Sequence, residues 1–119
     1  MFSVINAEKS CISGNAKKIV LRYGARRTMR NMADPETSAK WPRRPDMLFK
    51  KIVSGMLPKH SATGAKALKN LRVYIGVPKE LEGKPAEKAK KQVSQLKGKS
   101  ITLEKICADL GWVSKLAAK

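Results

Sequence analysis

Acidic and aromatic residues are both scarce in this chain of 119 residues. It carries 9 Asp and Glu against 26 Lys and Arg, which gives a formal net charge of +17 at neutral pH. With two each of Trp, Tyr and Phe, the core must be built mainly from Ile, Leu, Val, Met and Ala. No run approaches the roughly 18 apolar residues of a membrane-spanning helix. Residues 1–9 have neither the basic start nor the apolar run of a signal peptide.

Cysteine and histidine are equally rare, with two and one residues respectively. Cys11 and Cys107 stand far apart, and in an intracellular chain we expect reduced, partly buried thiols and no disulfide. No paired Cys and His spacing predicts a metal site, and no glycine-rich phosphate loop is present. The carboxylates are scattered, and His60 has no Cys or carboxylate at a useful spacing. The sequence therefore predicts no enzyme, no metal and no cofactor.

Positive charge is the dominant feature of what remains. It is most one-sided over residues 41–72, which carry 8 basic and 1 acidic group. An isoelectric point near 10.3 favours a nucleic-acid partner. No helix–turn–helix, zinc-finger or basic-zipper pattern indicates a reader of duplex sequence, so recognition of RNA shape and phosphates is the physical default. A membrane-surface module would need apolar helix faces with more aromatics.

The length and apolar spacing predict one domain of the α/β class, covering residues 1–119. Within it, residues 31–45 form a basic loop and residues 83–119 a Lys-rich helical extension. In the first half of the chain we expect a strand over 2–6, a helix that Ser13 caps and Gly14 begins, and a helix from Pro45 to Pro58. The apolar face of the helix from Pro45 consists of Leu48, Phe49, Ile52, Val53 and Met56. In the second half we expect a helix over 64–71, a strand over 72–75, a helix over 85–97, a strand or turn at 100–101, and a helix that Thr102 caps and Gly111 ends.

The candidate RNA-binding residues are cationic or hydroxylated side chains on helix faces and loops. Arginine binds phosphate through a rigid fork of donors, and the amides and hydroxyls around Gly64 can also donate to phosphate oxygens. For each group the alternative is a plain solvated surface, and His60 is either an exposed loop residue or an RNA contact. The set is Lys17, Lys18, Arg22, Arg26, Arg27, Arg30, Arg43, Arg44, Lys50, Lys51, Lys59, His60, Ser61, Thr63 and Lys66.

Two tryptophans carry further alternatives. Trp41 either stacks on an unpaired base or packs on the protein itself. Trp112 is interpreted as a packing residue or a contact with another protein.

Several segments together resemble the universal large-subunit ribosomal protein L-thirteen family, in its archaeal branch. The resemblance extends from about residue 3 to 112, and the Gly-Met-Leu-Pro block followed at a fixed distance by Val-Tyr-Ile-Gly is its most specific part. The matching segments are 4–9 (VINAEK), 12–15 (ISGN), 43–49 (RRPDMLF), 52–59 (IVSGMLPK), Gly64, 71–76 (LRVYIG) and 101–112. Members of that family usually open with a further strand and helix, whereas this sequence starts just before the first matching segment. Either the protein is shortened, or its start was assigned to an internal methionine.

The resemblance implies a three-layer α/β/α domain with a small, mostly parallel sheet, one strand short of the family pattern. It implies a structural constituent of the large ribosomal subunit that binds and stabilises ribosomal RNA during assembly, in the cytoplasm. The partners would be large-subunit ribosomal RNA and neighbouring large-subunit proteins, with no membrane and no small-molecule substrate. The alternative is a basic regulatory or chromatin-type protein that binds nucleic acid off the ribosome.

Overall fold

The computed structural model describes residues 2–29, 31–38, 40–88, 92 and 95–113. This part of the chain contains four helices and four short strands, with three single-turn 3-10 helices between them. The strands are β1 (Phe2–Val4), β2 (Cys11–Ser13), β3 (Leu71–Val73) and β4 (Ser100–Thr102); the helices are α1 (Ala16–Thr28), α2 (Pro45–Ser54), α3 (Ala62–Asn70) and α4 (Leu103–Asp109); the 3-10 turns are Ala7–Lys9, Pro35–Thr37 and Lys79–Leu81. The strands and α-helices follow one another in the order β1, β2, α1, α2, α3, β3, β4 and α4.

The strands form two separate pairs. β1 lies parallel to β3, with Phe2 opposite Leu71, and β2 lies antiparallel to β4, with Ile12 opposite Ile101. The α/β class with a small sheet of parallel strands is confirmed, and the described strands also form a separate antiparallel pair. Asn6 adopts the left-handed conformation, at φ 54°. Asn6 stands at the start of the 3-10 turn Ala7–Lys9, which separates β1 from β2.

A second set of backbone bonds joins the segment after β1 to the end of β3. The amide of Tyr74 donates to the carbonyl of Val4 at 2.8 Å, and that of Ala7 donates to the carbonyl of Tyr74 at 3.2 Å. The amide of Asn6 donates to the carbonyl of Gly76 at 3.0 Å. Parallel pairing thus continues past β3 into the predicted strand 72–75, although the regular strand ends at Val73.

The core is an aliphatic cluster between α1, α2, α4 and β4. It is nearly free of polar atoms, as expected from a sequence in which aliphatic side chains must fill the interior. Partly buried Trp41, Phe49, Ile52 and Trp112 pack against its rim. The buried members are Ile19, Tyr23, Leu48, Ile101, Leu103, Ile106 and Cys107. The predicted apolar faces of α1, α2 and α4 therefore point to one place.

Helix boundaries follow local chemistry, with one correction. The side chain of Asn15 accepts from the Lys17 amide and caps α1, so the helix begins at Ala16 and the predicted cap at Ser13 is wrong. Ser13 instead belongs to β2, which spacing did not reveal because three residues are too few to show alternation. Pro45 occupies the first turn of α2, as predicted.

The predicted helices α2 and α4 are confirmed, although α2 ends earlier than predicted. Thr102 caps α4 by accepting from the Lys105 amide at 3.4 Å, and Gly111 follows it in the left-handed region at φ 109°. α2 stops at Ser54, before Pro58, and Met56 is 75% exposed and does not belong to the apolar face.

The last two helical expectations concern α3 and the Lys-rich segment. α3 begins at Ala62, two residues earlier than predicted. The predicted helix over 85–97 is wrong for most of its described residues, since 85–88, 92, 96 and 97 are not helical; residues 89–91, 93 and 94 lie outside the described residues. Across the described ranges, no helix combines the length and apolar character needed to cross a membrane.

Candidate nucleic-acid interface

The exposed side of α1 carries the first part of the predicted basic surface. Because α1 buries Ile19 and Tyr23 in the core, Lys17, Lys18 and Arg22 are turned away from it and are exposed. At 1.5 Å of rise per residue, they precede the last turn of the helix by roughly 6 to 14 Å. This half of the surface is a row of solvated cations.

The last turn of α1 meets the loop before α2 at Trp41. The guanidinium carbon of Arg26 lies 4.7 Å from the Trp41 ring centroid and 5.3 Å from that of Tyr23. The two rings make an edge-to-face contact, with centroids 6.1 Å apart. Nη1 of Arg27 donates to the backbone carbonyl of Trp41, and Nζ of Lys51 lies 5.4 Å from its ring centroid. We call Tyr23, Arg26, Arg27, Trp41 and Lys51 the Trp41 cluster.

The Trp41 cluster holds three cations together without a carboxylate. Each cation above an aromatic face gains about 0.5–1 kcal/mol at a partly exposed site, which offsets part of the mutual repulsion. The attraction uses no N–H donor of Arg26, and within the described residues that guanidinium makes no hydrogen bond. Its fork of donors is therefore oriented by the protein and open to an anion.

Arg43 and Arg44 lie immediately before α2, and Arg44 forms an ion pair. Nη2 of Arg44 lies 3.2 Å from Oδ2 of Asp46, and Oδ1 of Asp46 accepts from the Met47 amide at 2.8 Å. The Arg44 side chain is still 58% exposed, so this is a surface ion pair of small stabilising effect. Arg43 reaches the end of α4, where a Cβ placed on Gly111 would lie 3.9 Å from its guanidinium carbon.

The turn into α3 and the first turn of that helix contain the predicted RNA-binding residues around Ser61. The Ser61 hydroxyl oxygen accepts from the Thr63 amide at 3.2 Å and caps α3, which leaves the hydroxyl proton able to donate elsewhere. Gly64 is buried, and a Cβ on it would overlap the carbonyl oxygen of Pro58. The turn therefore folds tightly back on the helix start. Four predicted contacts stand exposed around it: Lys59, His60, Thr63 and Lys66.

The predicted site residues thus fall into several places. Arg26, Arg27 and Lys51 meet at Trp41, and Lys50 lies half-buried one residue earlier on α2. Arg30 lies outside the described residues. The sequence prediction missed Tyr23 as a partner of Arg26, although their separation of three residues on a helix signals such a contact. It also missed Lys40, which stands beside Trp41.

Both tryptophans pack on the protein. Trp41 lies against Tyr23 and the core rim, which is the packing alternative for this residue. Trp112 packs against the same core, and its amide donates to the Cys107 carbonyl at 2.9 Å beyond the end of α4.

No reactive group competes with this interpretation in the described part of the chain. Burial in the core and, second, the nearby Asp46 carboxylate together raise the pKa of the Cys107 thiol from 9.0 to about 12. Cys107 is therefore a protonated thiol at neutral pH and a poor nucleophile. Both cysteines are free, as expected. Among the described residues, no group of three or more His, Cys, Asp or Glu side chains is placed to hold a metal ion.

Fold and surface together define a small, strongly basic α/β protein whose cations outnumber their acidic partners. The family model described as Ribosomal protein L13 matches residues 1–80. The chain belongs to this ribosomal protein family and is of the archaeal type.

Three archaeal relatives, each named large ribosomal subunit protein uL13, support this assignment. The protein of Saccharolobus solfataricus is 39% identical over 92% of this chain and 74% of its own length. That of Methanosphaera stadtmanae is 43% identical over 96% and 76%. That of Aeropyrum pernix is 41% identical over 92% and 72%.

Proposed function

We propose that this chain is a structural constituent of the large ribosomal subunit, where it binds and stabilises ribosomal RNA during assembly. The names of its archaeal relatives support the assignment to the large subunit, since each is named a large ribosomal subunit protein. Neighbouring large-subunit proteins are its other partners, on ribosomes in the cytoplasm. Residues 1–119 act as one domain, and the role requires no catalysis, cofactor or small-molecule substrate.

The observation that carries RNA binding is the Trp41 cluster. Two cations, Arg26 and Lys51, lie against the Trp41 ring, and Arg27 donates to the backbone carbonyl of the same residue. The Asp46 carboxylate on α2 is already bonded to Arg44 and to a backbone amide. In a chain of net charge +17, the protein does not supply enough negative charge to neutralise these cations, so an external anion is needed. Closely spaced phosphates of folded RNA supply that anion at the right density.

The mechanism is neutralisation with release of counterions. Each phosphate that a Lys or Arg contacts frees condensed cations into solution, which favours binding at low salt. For about eight contacts, the logarithm of the association constant falls with the logarithm of salt concentration at a slope of about −6 to −7. The arginine forks also fix orientation, because they hold two phosphate oxygens at a defined angle.

The test is the salt dependence of binding to transcribed archaeal large-subunit RNA fragments, measured with the full chain. Arg26→Gln combined with Lys51→Gln removes two cations of the Trp41 cluster, and we expect the slope to lose about one to two units. The matched control is Lys79→Gln with Lys105→Gln. It removes the same charge from two exposed lysines far from Trp41 in sequence, and its slope should not change.

Two results would count against the proposal. Equal slopes for the Trp41-cluster variant and for unaltered protein would remove that cluster from the interface. Tighter binding to duplex DNA than to structured RNA at matched salt would favour the alternative role off the ribosome.

A further inference from the structure

A pocket of about 470 Å³ opens beside the Trp41 cluster, between the loop before α2 and the helices α2 and α3. Trp41, Met47 and Leu68 give it an apolar wall. The volume lies within the range of about 300–1,000 Å³ typical of small-molecule sites. Met47 is 53% exposed. An apolar recess left open on so basic a surface indicates a ligand that is partly apolar.

The polar lining of the same pocket is cationic. Lys40, Lys50 and Lys51 belong to it, and no carboxylate does among the lining residues that the structure describes. Asp46 stands one turn before Lys50 on α2, but its two oxygens are bonded to Arg44 and to the Met47 amide. Because the ring of Trp41 also attracts Lys51, at 5.4 Å, that ammonium group is held near the pocket. The complementary ligand is therefore anionic as well as partly apolar.

We propose that this pocket receives one unpaired base of the bound RNA, while the three lysines contact the phosphates on either side of it. A nucleotide combines a flat, largely apolar base with a charged backbone, and it matches both parts of the lining. Bulged and single-stranded nucleotides are already unstacked, so such a base enters without breaking a pair. This inference rests on the proposed RNA binding and adds a preference for an unpaired nucleotide to it.

The location supports RNA as the source of this ligand. The pocket shares Trp41 and Lys51 with the Trp41 cluster, so one continuous strand can contact Arg26 and Arg27 and place its next base in the recess. Stacking and apolar contact of this kind tolerate any base, since every base has an apolar face. The pocket therefore adds affinity for unpaired RNA without reading its sequence.

The experiment separates the contribution of the base to binding affinity from that of the phosphates. The chain has two tryptophans, so Trp112→Phe leaves Trp41 as the single fluorescent indole. This variant is titrated with single-stranded oligoadenylate of about 12 nucleotides, a length within known single-strand site sizes, and with an abasic strand of equal phosphate number. We expect oligoadenylate to quench Trp41 and to bind about five- to tenfold more tightly than the abasic strand.

A pocket-filling variant provides the second arm. Ser54 lines the pocket, so Ser54→Phe places a ring inside it and should abolish the preference for oligoadenylate while leaving abasic binding unchanged. The matched control is Met56→Phe, which adds a ring at an exposed position two residues away and should keep the preference. Circular dichroism checks that both variants fold. If Ser54→Phe does not fold, the comparison of the two strands on the open pocket decides the question.

The outcomes distinguish this inference from the function beneath it. Equal affinity for the two strands, or preference retained in folded Ser54→Phe, would overturn the base pocket, and a steep salt slope would still support phosphate binding. Loss of binding to both strands and to structured RNA would overturn the proposed function itself.

Discussion

The carboxylate of Glu8 accepts a hydrogen bond of 3.0 Å from the backbone amide of Gly76, which lies 68 residues further along the chain. Gly76 adopts φ 68°, and its carbonyl in turn accepts from the Asn6 amide at 3.0 Å. The amide and the carbonyl of Gly76 are thus both bonded to the segment 6–8 that follows β1. We call these two hydrogen bonds the Gly76 clasp; they join the first turn of the chain to the segment after β3.

Loss of the Glu8 carboxylate should destabilise the fold. Glu8→Ala leaves the Gly76 amide without its partner, and a hydrogen bond to a charged group contributes about 1.5–3 kcal/mol. We expect the free energy of unfolding in urea to fall by about 1–2 kcal/mol, because Glu8 is only partly buried. Glu87→Ala, which removes an exposed carboxylate, is the control. Equal effects of the two substitutions would show that the clasp contributes nothing.

Gly64 and Gly24 should respond in opposite directions to alanine. Gly64→Ala forces a Cβ against the Pro58 carbonyl and should lower stability by about 1–3 kcal/mol, as overpacking does. Gly24 has open space where its Cβ would stand and lies inside α1, so Gly24→Ala should raise stability by about 0.5–1 kcal/mol. Thermal unfolding measures both. A neutral Gly64→Ala would mean that the turn before α3 is looser than described.

Ser61 allows capping and RNA contact to be separated. Asp caps a helix as well as Ser does, so Ser61→Asp should preserve stability, whereas Ser61→Ala should cost about 1 kcal/mol. The added carboxylate would stand among Lys59, His60 and Lys66 and repel phosphate, so we expect RNA affinity to drop for Ser61→Asp. Ser61→Asn keeps the cap without charge and should bind RNA as the unaltered chain does. Unchanged affinity for Ser61→Asp would place this turn outside the interface.

The Cys107 thiol makes stability depend on alkaline pH. Its pKa is raised to about 12 in the folded protein by burial first and by the Asp46 carboxylate second. Between pH 9 and 12 the unfolded chain therefore binds fewer protons than the folded one, and stability falls as pH rises, by up to about 1.4 kcal/mol per unit. Below pH 9 this contribution is constant.

The matched measurement compares the unaltered chain with Cys107→Ala by urea unfolding on either side of pH 9. Other groups titrate in both proteins, so the difference between their pH slopes isolates the thiol. The slope should be shallower in Cys107→Ala. Identical slopes would show that Cys107 ionises as easily in the fold as outside it.

Long amphipathic segments were predictable from sequence because their signal is periodic. Ile19 and Tyr23, one turn apart, located the buried face of α1, and the cap at Thr102 located the start of α4. Three-residue strands give a weaker signal, although β1, β3 and β4 lie at or beside segments predicted as strands. β2 was missed, and no periodicity encodes its antiparallel pairing with β4 or the left-handed conformation of Asn6 before it.

The candidate site was likewise only partly predictable from the sequence. The residue types were evident from charge, but their grouping was not, since Trp41 meets Arg26 and Lys51 only after α1 and α2 pack on a common core. Trp41 lies in a loop without periodicity, and its packing depends on Tyr23 from another element. The pocket beside it likewise requires α3, through Leu68.

The central claim is that this chain is an integral part of the large ribosomal subunit. The most direct test is sedimentation of a native lysate through a sucrose gradient at about 0.5 M salt, where loosely held polycations are released from RNA. We predict that the chain migrates with the large subunit and is absent from the top of the gradient. Release of the chain to the top, with subunits intact, would contradict the account and favour a looser nucleic-acid partner.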